Sequence, residues 1–147
     1  MRIDLPIKRL RPEAALPAYS HGPEEDAGLD LSYCGEETLV LPAGGRLLCP
    51  TGLAIQLPPG YEGQVRPRSG LAASRGITIL NAPGTIDPGY RGEIKVILVN
   101  LSDTPQKIAP GDRIAQLVVA QYCAVQPREV ETLDGSRREA GGFGSTG

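Results

Sequence analysis

Asp87 and Tyr90 stand three residues apart in the run Asn81-Ala82-Pro83-Gly84-Thr85-Ile86-Asp87-Pro88-Gly89-Tyr90-Arg91-Gly92-Glu93-Ile94. Pro-Gly pairs turn an extended chain sharply, so the run reads as a hairpin whose tip presents a carboxylate and a phenol at fixed positions. That construction suits a site better than a core. The chemistry open to such a site is limited by the rest of the inventory. His21 is the only histidine and lies in a Pro- and Glu-rich stretch that reads as a loop. A Ser-His-Asp or Cys-His mechanism, or a histidine-ligated metal, would depend on that one imidazole. Carboxylates, arginines and a hard cation remain. Mg²⁺ suits them because it keeps several waters and takes direct ligands from substrate phosphates.

A second set of polar groups surrounds Pro67-Arg68-Ser69-Gly70. Ser69-Gly70-Leu71-Ala72-Ala73-Ser74-Arg75 predicts about two helical turns that open at Ser69 as N-cap and stop before Gly76. Arg66 and Arg68 stand just ahead of this helix, whose free N–H groups favour anions, so a guanidinium, a hydroxyl and backbone amides can converge on a phosphate. Capping by Ser69 and solvation of Arg68 is the alternative. The chain has no GxxxxGK[ST] loop, which disfavours a P-loop nucleotidase. The third set lies in Ser136-Arg137-Arg138-Glu139-Ala140-Gly141-Gly142-Phe143-Gly144-Ser145-Thr146-Gly147, where the only phenylalanine sits among glycines. Such a segment is flexible: either a frayed tail or a lid that stacks an aromatic on a base and closes donors over phosphates.

These sets need a scaffold. Apolar and β-branched runs recur between Pro and Gly at Thr38–Leu41, Leu53–Leu57, Ile77–Leu80, Ile94–Asn100, Arg113–Gln121 and Val125–Glu131. Short strands separated by turn signals predict an all-β barrel or sandwich with one short helix. Leu, Ile, Val and Phe make up 36 of 147 residues, above the roughly 20% below which disorder becomes the expectation. The length fits one domain. A net charge of −2 with no basic tract argues against a nucleic-acid polymer as partner and leaves single nucleotides open. No apolar window approaches the ~18 residues of a membrane helix and no signal-like leader is evident, so a soluble, cytoplasmic protein is expected. Cys34, Cys49 and Cys123 are widely spaced and odd in number, which predicts buried free thiols.

Five segments, in order, carry a closer resemblance: Ala27-Gly28-Leu29-Asp30-Leu31, Pro67 to Ala72, Asn81 to Ile94, Gly111-Asp112-Arg113-Ile114-Ala115-Gln116-Leu117, and Arg138 to Gly147. Together they resemble the trimeric deoxyuridine triphosphatases, which hydrolyse dUTP to dUMP and pyrophosphate. The resemblance implies a jelly-roll-like distorted β-barrel over residues 1–135. It also implies a homotrimer, and a flexible lid at 136–147 that closes over a site of a neighbouring subunit. By the same resemblance, Asp87 orients and deprotonates the attacking water. Tyr90 lies against the deoxyribose, and Asn81 with the backbone of Gly84, Thr85, Ile86 and Asp87 reads uracil.

Arg68, Ser69, Gly70 and Gln116 are implied to contact the phosphates, and Asp30 to support Mg²⁺ through water. In the tail, Arg138, Gly144, Ser145 and Thr146 are implied to contact phosphates, and Phe143 to stack on the base. Lys95 is implied to touch substrate, although on a strand it is equally a solvated charge. Gln116 shares a strand face with Ile114 and Val118, where an amide needs a partner; a backbone hydrogen bond is the alternative. Arg137 competes with Arg138 for the tail arginine. Two other functions stand beside dUTP hydrolysis. One is a dCTP deaminase, or a bifunctional deaminase and diphosphatase, whose catalytic glutamate would fall at Ile97; the other is a non-catalytic dUTP sensor.

Overall fold

Short strands, three to six residues long except for one of nine, pair into several small sheets. The computed structural model describes residues 2–147. Its elements, in order, are β1 Ile7–Arg9, β2 Leu29–Ser32, β3 Leu39–Leu41, β4 Arg46–Pro50, β5 Leu53–Ile55, β6 Tyr61–Arg66, α1 Ser69–Arg75, β7 Ile77–Ile79, β8 Gly84–Ile86, β9 Lys95–Asn100, β10 Gln106–Ile108 and β11 Arg113–Gln121. They form four antiparallel sheets, ordered β1-β5, β3-β10, β2-β11-β6-β8 and β4-β9-β7. The chain is mostly β with one short helix, as expected. Among the described residues no sheet closes into a ring, so the expected barrel takes the form of open sheets around a shared core. Leu31, Leu41, Leu53, Ile77, Leu98, Ile108, Ile114 and Leu117 fill that core and come from all four sheets.

Several sequence expectations change here. The run Asn81 to Ile94 is not a hairpin: β8 pairs with β6, whereas β9 pairs with β4 and β7. The segment is a crossover between two sheets, with a tight turn at its centre where the Tyr90 amide donates to the Asp87 carbonyl at 3.1 Å. Val125–Glu131 is exposed and forms no strand; Pro127 removes a ladder donor, and no strand among the described residues pairs with this segment. Ser69 does not cap α1. The N-cap is Arg68, in an extended conformation with no side-chain cap bond, and Ser69 is the first helical residue. Gly76 ends the helix as expected, at φ 63° in the left-handed region that glycine enters freely.

Strands β1, β2, β4, β6, β8 and β10 escaped the sequence reading because they are short, charged or interrupted by glycine. Gly63 in β6 shows why a glycine belongs in a strand. A Cβ there would lie 3.1 Å from Leu117 Cδ1 and 3.2 Å from Ile86 Cβ, side chains of the two neighbouring strands. Cys34 and Cys49 are buried free thiols, and burial pushes Cys49 up to about 11. Cys123 is exposed, contrary to expectation, because β11 has ended and the chain has left the core.

One fully buried amide ties the sheets together. Asn100, at the end of β9, donates from Nδ2 to the carbonyls of Leu41 (3.1 Å) and Thr104 (2.8 Å) and accepts from Ser102 N and Oγ. Replacing it strands buried acceptors at a cost of roughly 1–3 kcal/mol each. Asn100→Ala is expected to lose about 2–4 kcal/mol in urea unfolding; a loss under 0.5 kcal/mol would mean that water replaces the amide.

Candidate active site

Two clefts hold the residues singled out by sequence ahead of the C-terminal tail. The first, of about 390 Å³, is lined by Asn81, Gly84, Thr85, Ile86, Asp87, Tyr90, Glu93 and Lys95 with an apolar wall of Leu48, Val65, Ile79 and Ile97. The second, of about 340 Å³, is lined by Asp30, Arg66, Arg68, Ser69, Gly70, Gln116 and Val118, with the loop Ser20–Gly28 along its rim. No residue lines both.

The first cleft is built by the crossover. Buried Gly84 and Ile86 fasten β8 to β6 and leave Thr85 and Asp87 facing outward. A Cβ on Gly84 would meet Asn81 Nδ2 at 3.3 Å, so the glycine lets Asn81 fold back over the strand. The Asp87 carboxylate is exposed and makes no hydrogen bond or ion pair among the described residues, which leaves it available to bind a water. Tyr90 lies over Gly92, where a Cβ would fall 2.5 Å from the phenol oxygen, and its hydroxyl donates to the Glu93 carbonyl at 2.9 Å. Polar backbone at one end, an apolar wall and a fixed aromatic ring suit a flat heterocycle joined to a sugar.

The second cleft is built by a row of residues across three strands. In register, Arg66 of β6 lies opposite Gln116 of β11, which lies opposite Asp30 of β2. The β-bulge between Arg113 and Ala115 permits this row: Ile114 and Ala115 are both buried, while Gln116 and Val118 line the cleft. The expected common face of Gln116 with Ile114 is thereby broken. Gln116 Nε2 donates to the Pro67 carbonyl at 2.9 Å, the backbone bond foreseen as its alternative role. Its approach depends on Gly28, where a Cβ would sit 2.4 Å from Gln116 Oε1.

Asp30 is the hub of this cleft. Arg68 Nε donates to its Oδ1 at 3.0 Å, and Ser20 Oγ (2.9 Å) and Arg113 Nη1 (3.3 Å) donate to its Oδ2. Arg68 is thus aimed by a carboxylate and keeps part of its guanidinium for a ligand. Sequence reasoning did not single out Ser20 or Arg113; Arg113 lies within a quoted motif, but its contact joins residues 83 apart in sequence. At the rim, Asp26 accepts from His21 N (2.6 Å) and Gly22 N and pairs with the His21 ring, contacts that hold its carboxyl below the ordinary aspartate value. This closure is present above the ordinary aspartate pKa and lost as pH falls through the lowered one.

The tail reaches neither cleft in the single chain. Residues 121–140 are exposed throughout, and Phe143 is wholly exposed. Ser136 N donates to Glu139 Oε1 and Glu139 N to Ser136 Oγ, a reciprocal pair of the capping-box type, and Arg138 Nε donates to the Gly141 carbonyl at 2.6 Å. Gly144, Ser145 and Thr146 are likewise exposed.

The family model for dUTPase matches residues 14–147. The chain belongs to the dUTPase family. Among its relatives is the deoxyuridine 5'-triphosphate nucleotidohydrolase of Solibacter usitatus, 53% identical, the match covering 99% of this chain and 97% of that one. That of Clostridium kluyveri is also 53% identical, over 99% of each chain. This extends the likeness to the dUTP diphosphatases over nearly the whole sequence. Among solved structures, a point mutant of the Staphylococcus bacteriophage 80alpha dUTPase with dUpNHpp is 27% identical, with a TM-score of 0.84 over 98% of each chain. The dUTPase of phage phi11 of S. aureus, described with a structural Mg(II) ion, is 26% identical, with a TM-score of 0.78 over 90% of this chain and all of that one. The jelly-roll-like fold of the dUTPases is therefore that of this chain. No helix among the described residues is long and apolar enough to cross a membrane.

Proposed function

We propose that this dUTPase-family protein hydrolyses dUTP to dUMP and pyrophosphate at a site completed by neighbouring copies of itself. The observation that carries this reading is the division of the site into two clefts. Val65 and Arg66 are successive residues of β6 and point to opposite faces of the sheet; Val65 lines the first cleft and Arg66 the second. With no lining residue in common, the two clefts serve as separate halves of a site. A homotrimer that sets the first cleft of one copy against the second of the next, with the tail of a third over both, reconciles the two.

In this arrangement Asn81 and the Gly84–Asp87 backbone hydrogen-bond uracil, and Tyr90 stands where a 2′-hydroxyl would project. Lys95 and the Leu48 wall close the nucleoside end. Asp87 takes a proton from the water that attacks the α-phosphorus, as the P–O bond to the leaving pyrophosphate breaks. Arg68, Ser69, Gly70 and Gln116 hold the phosphate chain, and Arg138, Phe143, Gly144, Ser145 and Thr146 close over it. Positioning and charge stabilisation account for most of the acceleration in such a reaction.

No group of three or more His, Cys, Asp or Glu able to hold a metal occurs among the described residues. The donor set fits a hydrated cation carried by the phosphates and not a carboxylate cage; Asp30, already paired with Arg68 and Arg113, would support it only through the cation's waters. Mg²⁺ bound so would neutralise phosphate charge. Ile97 lines the nucleoside cleft where a deaminase would need a proton-transferring side chain, which supports the diphosphatase over the deaminase.

Pyrophosphate release from dUTP, dCTP, dTTP and UTP with Mg²⁺ tests the reading. Turnover of dUTP at least 10³-fold above dCTP is expected, because misplaced hydrogen-bond partners can cost about 10⁴–10⁵. Ammonia from dCTP would restore the deaminase; tight dUTP binding without turnover would leave a sensor.

A further inference from the structure

We infer that Glu93, which has no part in the chemistry proposed above, is a positioning residue that sets the sugar selectivity of the nucleoside cleft; the inference rests on the dUTP reading. Glu93 lines that cleft with its side chain only 16% exposed. Its Oε1 accepts from the Gly52 amide at 2.9 Å and lies 3.6 Å from Arg11 Nη2; its Oε2 lies 3.9 Å from Lys95 Nζ. Its backbone carbonyl accepts the Tyr90 hydroxyl. One residue thus touches both the phenol that faces the sugar and the ammonium at the cleft end.

The Gly52 amide is a rigid donor. Gly52 holds φ 69°, and a Cβ there would lie 2.9 Å from both Ala14 Cβ and Cys34 Sγ. Around it the backbone closes firmly: Ile94 N donates to the Leu53 carbonyl at 2.8 Å, and Thr51 Oγ1, fully buried, donates to the Ile94 carbonyl at 2.7 Å. Arg11, which shares the carboxylate, is itself held to the Cys34 carbonyl at 2.6 Å. The crossover is therefore clamped at Ile94, whereas the hydrogen bonds of the turn from Asp87 to Gly92 run within the turn or to the Glu93 carbonyl. The Glu93 carboxylate is the side-chain link between that turn and the clamp. The peptide unit that carries the Glu93 carbonyl is itself held through the Ile94 N–H; without the carboxylate it is the turn ahead of Glu93 that can swing about the Glu93 Cα, so that the Tyr90 ring no longer stands firm against a 2′-hydroxyl.

The test compares Glu93→Ala, Glu93→Gln and Glu93→Asp in the full chain. The amide of Glu93→Gln still accepts from Gly52, so its preference for dUTP over UTP in kcat/KM is expected to stay within about twofold of the parent. Glu93→Ala is expected to lose about tenfold of that preference, out of the roughly hundredfold an apolar wall exerts against one hydroxyl. Glu93→Asp, drawn back by one C–C bond of about 1.5 Å, is the milder removal and should shift selectivity in the same direction. Hydrogen exchange at the Tyr90 amide is expected to quicken in Glu93→Ala and Glu93→Asp at unchanged unfolding temperature, and not in Glu93→Gln. Selectivity unchanged in both removal variants, or lost equally in Glu93→Gln, would overturn the inference. A parent inert toward dUTP would defeat the functional reading alone, and the exchange comparison would still decide whether Glu93 anchors the turn.

Discussion

Asp87→Asn is expected to fold and bind dUTP as the parent does while releasing pyrophosphate about 10²–10⁴ times more slowly, the range attributed to a positioned general base. The side chain is exposed at the mouth of the nucleoside cleft and contributes to no hydrogen bond or ion pair that the fold requires. Removing its charge therefore touches chemistry and little else. The isosteric amide can still hold a water by accepting its hydrogen, but it cannot take the proton. Steady-state turnover, with isothermal titration of a non-hydrolysable dUTP analogue, separates the two effects. A variant that keeps a tenth or more of parental kcat would assign the proton transfer elsewhere.

Truncation after Arg137 is expected to leave folding and assembly unchanged and to lower kcat/KM for dUTP by about 100-fold or more. The buried cluster draws its last residue from Leu117 of β11, and of residues 138–147 only Gly141 and Gly142 are half-buried and none joins that cluster, so the deleted decapeptide supports no part of the core. What it removes is a base-stacking ring, worth roughly 1–3 kcal/mol in comparable sites, and a guanidinium with donors for phosphate, at roughly 1.5–3 kcal/mol for a charged hydrogen bond. Tenfold corresponds to about 1.4 kcal/mol, so either loss alone is measurable. Phe143→Ala and Arg138→Ala apportion the effect, and Arg137→Ala decides which arginine acts. Full turnover in the truncated chain would reduce the tail to an ornament of the fold.

Both predictions depend on residues that were legible before any coordinates. Asp87, Tyr90, Arg68 and Ser69 stood out because glycines and prolines hold them at turns and termini, and such punctuation is local chemistry; Gln116 stood out as an amide in an apolar strand. The helix bounds were equally local: Gly76 accepts the left-handed conformation without strain, and α1 spans the expected Ser69–Arg75. The longest strand, Arg113–Gln121, was also read directly.

Other features were visible only in three dimensions. That β8 and β9 join different sheets, so that Asp87 and Tyr90 ride on a crossover and not on a hairpin, is decided by partners distant in sequence. The same holds for Arg113 on Asp30 and for Glu93 on Gly52, since no spacing rule relates residues 83 or 41 apart. Strand β6, with Gly63 at its centre, has poor intrinsic propensity and is held by its packing between β8 and β11. The sequence alone determined which groups can do chemistry, because glycine, proline and charge act through their immediate neighbours. The tertiary structure decided how those groups are divided, because successive residues of a strand face opposite ways and β6 turns Val65 toward the nucleoside cleft and Arg66 toward the phosphate cleft.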